Sequence, residues 1–294
     1  MPSTLLLTLP GNEAAGAALA QAAGCRTAAV QLHRFPDGET RVTLPAGLLG
    51  CRVVLLCSLD RPDEKLAPLL FAADAARELG ALEVGLAAPY LAYLRQDARF
   101  APGQAISART FCRVLARHFD FVATVDPHLH RYPSLDALFD IPAVRVPAAP
   151  AVADWIAARV ERPLLIGPDS ESEQWIGDVA QRLDAPFRAL EKRRDGDADV
   201  TVSPLGDGDW HGRTPVLLDD ILSTGSTMLA AIERLRAAGL PPPLCVAIHP
   251  VLAGEAWARL RSADTAGVVS CNTIAHPSNA IDVMPLLARA LPPA

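Results

Sequence analysis

Short, nearly uninterrupted apolar runs alternate with Ala/Leu/Arg-rich stretches of helical spacing almost from one end of the chain to the other. Arg52–Cys57 (RVVLLC), Glu83–Ala88, Phe121–Val125, Pro163–Ile166 and Thr214–Leu218 are too short for core helices and lack the alternation of a strand with one wet face. Between them, Leu66–Leu79 (closed by Gly80), Ala108–His118, Glu173–Leu183 and Thr227–Ala238 (ended by Gly239) place apolar residues at helical spacing. Strands that are apolar on both faces need cover on both faces, which parallel sheets with crossover helices supply. The pattern predicts an α/β fold of the doubly wound kind with mainly parallel sheets.

At 294 residues the chain has room for two such layers. FDIPAVRVPAAP, Phe139–Pro150, breaks the rhythm: Pro142, Pro147 and Pro150 interrupt helices and remove ladder donors, which sets a boundary between domains 1–143 and 144–294. The last residues are expected to pack back on the first domain. A second irregular stretch, Arg193–Gly212, is long for a compact fold and reads as a lid or an unstructured segment. Half the residues are apolar and a fifth charged, with a net charge of −6, which argues against partners such as nucleic acid or an anionic membrane. No apolar run approaches the ~18 residues of a membrane span, and Met1–Pro10 lacks the basic start of a signal peptide. Six scattered cysteines without a C-x-x-C pair read as reduced thiols of a cytoplasmic protein.

The densest chemistry lies in Pro215–Thr227, PVLLDDILSTGST. A buried strand ends in Asp219 and Asp220, then passes through Ser223, Thr224, Gly225, Ser226 and Thr227 into a helix. Backbone amides and hydroxyls at a helix start cradle an anion. Acids just ahead of a phosphate cradle suit a sugar phosphate, because carboxylates accept from vicinal hydroxyls and hold Mg²⁺. The plainer alternative is an acidic helix cap. Other strand-following segments are FPDGE (Phe35–Glu39), PYLAYLRQDARF (Pro89–Phe100), DPH (Asp126–His128), GPD (Gly167–Asp169) and EKRR (Glu191–Arg194). Taken alone, FPDGE reads as a turn, RQD as a surface ion pair, His128 as a structural histidine and Lys192–Arg194 as a solvated charge cluster.

In the family's order and at nearly its spacing over almost the whole chain, these segments together resemble ribose-phosphate pyrophosphokinases of the phosphoribosyltransferase-fold superfamily. The length and the Ser-Thr-Gly loop are closer to the archaeal-type branch. The resemblance implies two tandem phosphoribosyltransferase-like (Rossmann-like) domains, the substrates ATP and ribose 5-phosphate, Mg²⁺ as cofactor, and a homo-oligomer of at least two chains. It implies ATP contacts at Phe35, Asp37, Gly38, Glu39, Arg95 and Gln96, and a metal site at His128 and Asp169. Asp219, Asp220, Ser223, Thr224, Gly225, Ser226 and Thr227 would hold ribose 5-phosphate, with Lys192 and Arg194 as catalytic residues on a closing loop.

Three positions depart from the family pattern: Ser223 stands where many members carry Asp, Ser226 where many carry Gly, and Pro127 where Leu is usual. A phosphoribosyltransferase that consumes the same product would share Asp219–Thr227 but would not need FPDGE, RQD or the basic triplet. A regulatory homologue without turnover would retain the fold; intact Lys192, His128 and Asp169 argue against it.

Overall fold

The computed structural model describes residues 3–169, 172–190, 192–194, 200–202, 210 and 212–292. Contacts divide the chain into two units, one of 1–147 with 273–275 and 283–294, the other of 148–272 with 276–282.

In the first unit the elements are β1 (Thr4–Thr8), α1 (Glu13–Ala23), β2 (Arg26–Ala29), β3 (Gln31–Arg34), β4 (Thr40–Thr43), β5 (Arg52–Leu56), α2 (Pro62–Glu78), β6 (Glu83–Ala88), α3 (Ser107–His118), β7 (Phe121–Val125) and β8 (Ala143–Val146). The second unit holds α4 (Ala149–Ala157), β9 (Pro163–Gly167), α5 (Glu173–Leu183), β10 (Phe187–Ala189), β11 (Lys192–Arg194), β12 (Val200–Val202), β13 (Thr214–Ile221), α6 (Ser226–Ala237), β14 (Leu244–His249), α7 (Ala256–Ser262), β15 (Gly267–Cys271) and β16 (Asn279–Ile281). The final helix, α8 (Met284–Ala290), returns to the first unit, where it packs on α1, β7 and β8.

Each unit has a six-stranded, all-parallel sheet, ordered β2-β1-β5-β6-β7-β8 in one and β10-β9-β13-β14-β15-β16 in the other. Counted within each unit, the two orders are the same. Both also place a two-stranded antiparallel ladder directly after the edge strand, β3–β4 and β11–β12. The irregular stretch after Arg193 is therefore not wholly structureless: Lys192–Arg194 pairs with Val200–Val202, a run whose β-branched residues favour extended backbone. Glu191, 195–199, 203–209 and 211 lie outside the described residues.

The apolar strands are buried along their length, as parallel strands covered on both faces must be. Leu5, Leu7, Val53, Leu55, Val84 and Leu86 form one face, roofed by Leu69, Ala72, Ala73 and Ala76 of α2 and by Ala108, Phe111, Cys112 and Leu115 of α3. The α3 set recurs at i, i+3, i+4 and i+7, the stripe of an amphipathic helix. Pro62 opens α2 in the first turn, with Asp63 and Glu64 beside the positive helix end. In the second unit Leu164, Ile166, Leu217, Cys245 and Ala247 pack under Met228, Ala231, Ile232 and Leu235 of α6.

Candidate active site

In a sheet ordered this way the strand order reverses between the first and third strands, and the crevice at their carboxyl ends is the usual ligand site. In the second unit those strands are β9 and β13. Gly167 ends β9 because nothing larger fits: a Cβ there would lie 2.2 Å from Ser172 Oγ and 2.6 Å from Ile176 Cδ1. The chain then turns through half-buried Asp169, whose carbonyl accepts from Ser172 Oγ at 2.6 Å. On the neighbouring strand β13, Asp219 and Asp220 stand beyond the last apolar pairs with β9. Asp220 Oδ1 accepts from the amide of Ile221 at 2.7 Å.

Burial, and then the charges of Asp220 and Asp169, push the Asp219 carboxyl well above its ordinary range. The three acids therefore act on one another at the mouth of the reversal. Past them, the loop is anchored on the segment after β14: Leu222 donates to the His249 carbonyl at 3.0 Å, and Ala253 donates to that of Ser223 at 3.1 Å. Gly225 precedes α6 with φ 72°, a left-handed conformation natural to glycine, and Leu260 stands 3.2 Å from where a Cβ would be. Thr224 and Ser226 are exposed, with Thr224 Oγ1 donating to Ser226 Oγ at 3.2 Å. Thr227 lies in the first turn of α6. Three carboxylates thus adjoin a hydroxyl-lined helix start, an arrangement that can hold a polyol through the acids and a phosphate through the amides.

Lys192 and Arg194 belong to β11, which follows edge strand β10; their side chains lie outside the described residues.

In the first unit, FPDGE is the tip of the β3–β4 hairpin. Phe35 N donates to the Glu39 carbonyl at 2.8 Å, Gly38 N to that of Phe35 at 2.9 Å, and Glu39 N to Asp37 Oδ1 at 3.1 Å. The ring of Phe35 is 38% exposed, edge-on to His33 with centroids 4.8 Å apart, and the Arg41 guanidinium lies 5.8 Å from its centroid. An exposed aromatic at a hairpin tip is available for stacking on a base. Arg95 and Gln96 are exposed in the segment after β6. Gln96 is tied to the start of α3, its carbonyl accepting from Ala108 N at 3.3 Å and its Oε1 from Ser107 Oγ at 3.2 Å.

His128 follows β7, half-buried, its ring 6.2 Å from that of His130. Two residues earlier, buried Asp126 has φ 29° and receives Arg145 through Nε at 3.0 Å and Nη2 at 2.9 Å, both on Oδ1. A non-glycine residue in that conformation at a strand end marks a backbone held by its surroundings.

His128 and Asp169, paired by the resemblance as metal ligands, thus belong to different units. Among the described residues no group of three or more His, Cys, Asp or Glu is arranged to hold a metal ion. Two side chains to which the sequence gives no site role join the first unit's loops: Asp97, which is buried and not part of the surface ion pair that RQD suggests alone, and Arg131, which it receives at 2.8 Å. The available signal was an acid flanked by arginines within RQDAR.

The chain has extensive likenesses among known proteins. A sequence profile described as the N-terminal domain of ribose phosphate pyrophosphokinase matches residues 4–118, and a phosphoribosyl transferase domain profile matches 135–285. The ribose-phosphate pyrophosphokinase of Methanopyrus kandleri is 35% identical over 278 residues, 94% of each chain. That of Halobacterium salinarum is 36% identical over 289 residues, 98% of this chain and 100% of the other. The crystal structure of phosphoribosylpyrophosphate synthetase from Mycobacterium smegmatis aligns with a TM-score of 0.85 and 25% identity, over 98% of this chain and 97% of that one.

Proposed function

The chain belongs to the ribose-phosphate pyrophosphokinase family, and we propose that it transfers the β,γ-diphosphoryl group of ATP to the 1-hydroxyl of ribose 5-phosphate, giving phosphoribosyl pyrophosphate and AMP. The observation that carries this reading is the cluster of Asp169, Asp219 and Asp220 beside the Ser223–Thr227 helix start, at the strand reversal of the second sheet. A nucleotide alone gives the acids no purpose, and a free sugar gives the anion cradle none. A phosphorylated pentose uses both.

In this reading Asp219 and Asp220 accept hydrogen bonds from the ribose hydroxyls and set the sugar's orientation. Ser223, Thr224, Gly225, Ser226 and Thr227 hold the 5-phosphate against the start of α6. Phe35, Asp37, Gly38 and Glu39 at the hairpin tip take the adenine, and Arg95 and Gln96 the adenine or the phosphates. The 1-hydroxyl attacks the β-phosphorus, the bond to the α-phosphate oxygen breaks, and AMP leaves with that oxygen. Lys192 and Arg194 offset the charge that develops on the transferring group. Alignment and charge neutralisation supply the rate, and no covalent nucleophile is required.

The donor chemistry fits Mg²⁺, a hard cation that prefers oxygen and is held by one or two carboxylates with substrate phosphates rather than by an all-protein cage. By the family resemblance, Asp169 and His128 would contribute to holding it, His128 by binding or orienting the hydrated ion. When bound, the ion supplies neutralisation of polyphosphate charge. We place the enzyme in the cytoplasm, in nucleotide biosynthesis, consistent with six free cysteines. We also take it to act as a homo-oligomer. In support, the exposed large apolar residues among those described, including Leu49, Phe71, Leu79 and Leu82, all belong to the first unit.

The test is to incubate the purified chain with ATP, ribose 5-phosphate and Mg²⁺ and quantify both products. Equal yields of AMP and phosphoribosyl pyrophosphate that vanish on chelation are expected. Ribose 5-phosphate binding without AMP release would overturn the reading in favour of a homologue without turnover.

A further inference from the structure

Asp97 lies in RQDARF among solvent-facing neighbours, Arg95, Gln96, Arg99 and Phe100, yet its own side chain is only 1% exposed. A buried carboxylate is costly unless its lone pairs are used. Its Oδ1 accepts from Arg131 Nη1 at 2.8 Å, while Oδ2 has no hydrogen-bond partner among the described residues. An amide or an apolar side chain would sit in this position at less cost, so the half-satisfied charge calls for an explanation in what it holds.

It holds two loops together. Arg131 lies three residues beyond His128, and its guanidinium also stands 5.3 Å from the centroid of Phe100. The next residue, Tyr132, donates its hydroxyl to the Asp97 carbonyl at 3.4 Å and accepts from Arg109 Nε, on α3, at 3.1 Å. Gln96, one residue before Asp97, is itself bonded to the first turn of α3. The segment after β6 and the loop after β7 therefore meet at one buried carboxylate and share α3 as a frame. Arg131, at 46% exposure, is the side chain that reaches inward to close the joint.

We propose that Asp97 and Arg131 form a positioning clamp that keeps Arg95 and Gln96 in register with His128, so that the nucleotide is gripped by both loops as one body. The clamp rests on the assignment of Arg95 and Gln96 to ATP and of His128 to the metal that accompanies its phosphates. Neither member touches the reacting atoms; each acts by placing others, where displacement of about 1 Å is enough to cost a large factor.

The test compares the wild type with Asp97→Asn, Arg131→Gln and the double variant. ATP affinity is read by calorimetry without ribose 5-phosphate, followed by kcat and KM for both substrates and by thermal melts. Each single change should weaken ATP binding about tenfold or more, while KM for ribose 5-phosphate, bound in the other unit, stays within about twofold. The double variant should bind ATP no more weakly than the worse single one, because both changes sever the same link. Folded variants with unaltered ATP affinity, a parallel rise in KM for both substrates, or additive losses would each overturn the clamp. If Asp97→Asn fails to fold, Arg131→Gln, at a half-exposed position, decides alone. A wild type that binds ATP but forms no AMP refutes the proposed reaction; an active wild type with indifferent variants refutes only the clamp.

Discussion

The two sheets share one strand order and finish their reversal points in opposite ways. In the first unit Asn12 donates to the carbonyls of Leu9 and Pro10, both at 3.2 Å, and accepts from Ser58 N at 2.8 Å. Ser58 Oγ donates to the carbonyl of Thr273, and Lys65 Nζ donates to the Ser58 carbonyl at 2.8 Å and to Asp60 at 2.5 Å. That edge carries its own cation and binds itself. At the matching place in the second unit stand Asp169, Asp219 and Asp220, where burial, and then the charges of its two neighbours, raises the Asp219 pKa. That edge concentrates carboxylates instead. The chain holds only two lysines among its 27 basic residues, Lys65 at the closed edge and Lys192 after β10 in the open unit. One fold thus yields an edge tied together around a lysine and an edge crowded with carboxylates, and the difference lies in charge rather than in topology.

The contrast can be broken most decisively at the acids. Asp219→Asn or Asp220→Asn should lower kcat/KM by about 10³-fold, measured as AMP release, while Asp60→Asn leaves it within about threefold. Similar losses at all three would erase the distinction between the edges. Next come the lysines. Lys192→Ala should cut turnover by about 10²-fold with ribose 5-phosphate binding retained. Lys65→Met should instead cost about 1–2 kcal/mol in denaturant melts and spare turnover.

Gly225→Ala forces a left-handed backbone on alanine next to Leu260. It should cost about 1–2 kcal/mol and raise KM for ribose 5-phosphate roughly tenfold, with KM for ATP unchanged. The smallest effect sharpens the electrostatic half of the contrast. With its folded pKa raised, Asp219 contributes stability that is present at low pH and lost as pH rises through the folded value. Asp219→Asn should therefore raise Tm near neutrality, by about 2–4 °C per kcal/mol of charge burial and repulsion relieved. The gain should disappear below the ordinary aspartate range, where the wild-type acid is protonated folded and unfolded alike. A Tm gain that persists at low pH would show that the charge on Asp219 is not what costs stability.

What could be read directly from the residues was local. The strand, acid pair and hydroxyl loop of Pro215–Thr227 are contiguous, so their order along the chain is also their order in space. FPDGE reads as a turn and is one, because Pro-Asp-Gly supplies the backbone angles a hairpin tip needs. The identity of the two strand orders was not legible: parallel partners lie tens of residues apart, and nothing in β1 marks β5 as its neighbour. The nearness of Asp169 to Asp219 likewise exists only once β9 and β13 pair. Asp97 was concealed by its neighbours, since a charged residue among charged residues looks exposed. Its partner, Arg131, comes from the loop after β7, far along the chain.

The return of α8 to the first unit sets the order in which the molecule can be completed. Met284 and Leu287 are fully buried, against a sheet whose last strand ends at Val146. A ribosome making ~5–20 residues per second finishes that sheet on the order of 10 s before the helix that covers part of it. During that interval the nascent first half carries an uncovered apolar face, and it closes only when α8 has been made. The N-terminal half is therefore no free-standing module: a version cut after Pro147 would present that face permanently and should be recovered mainly as aggregate.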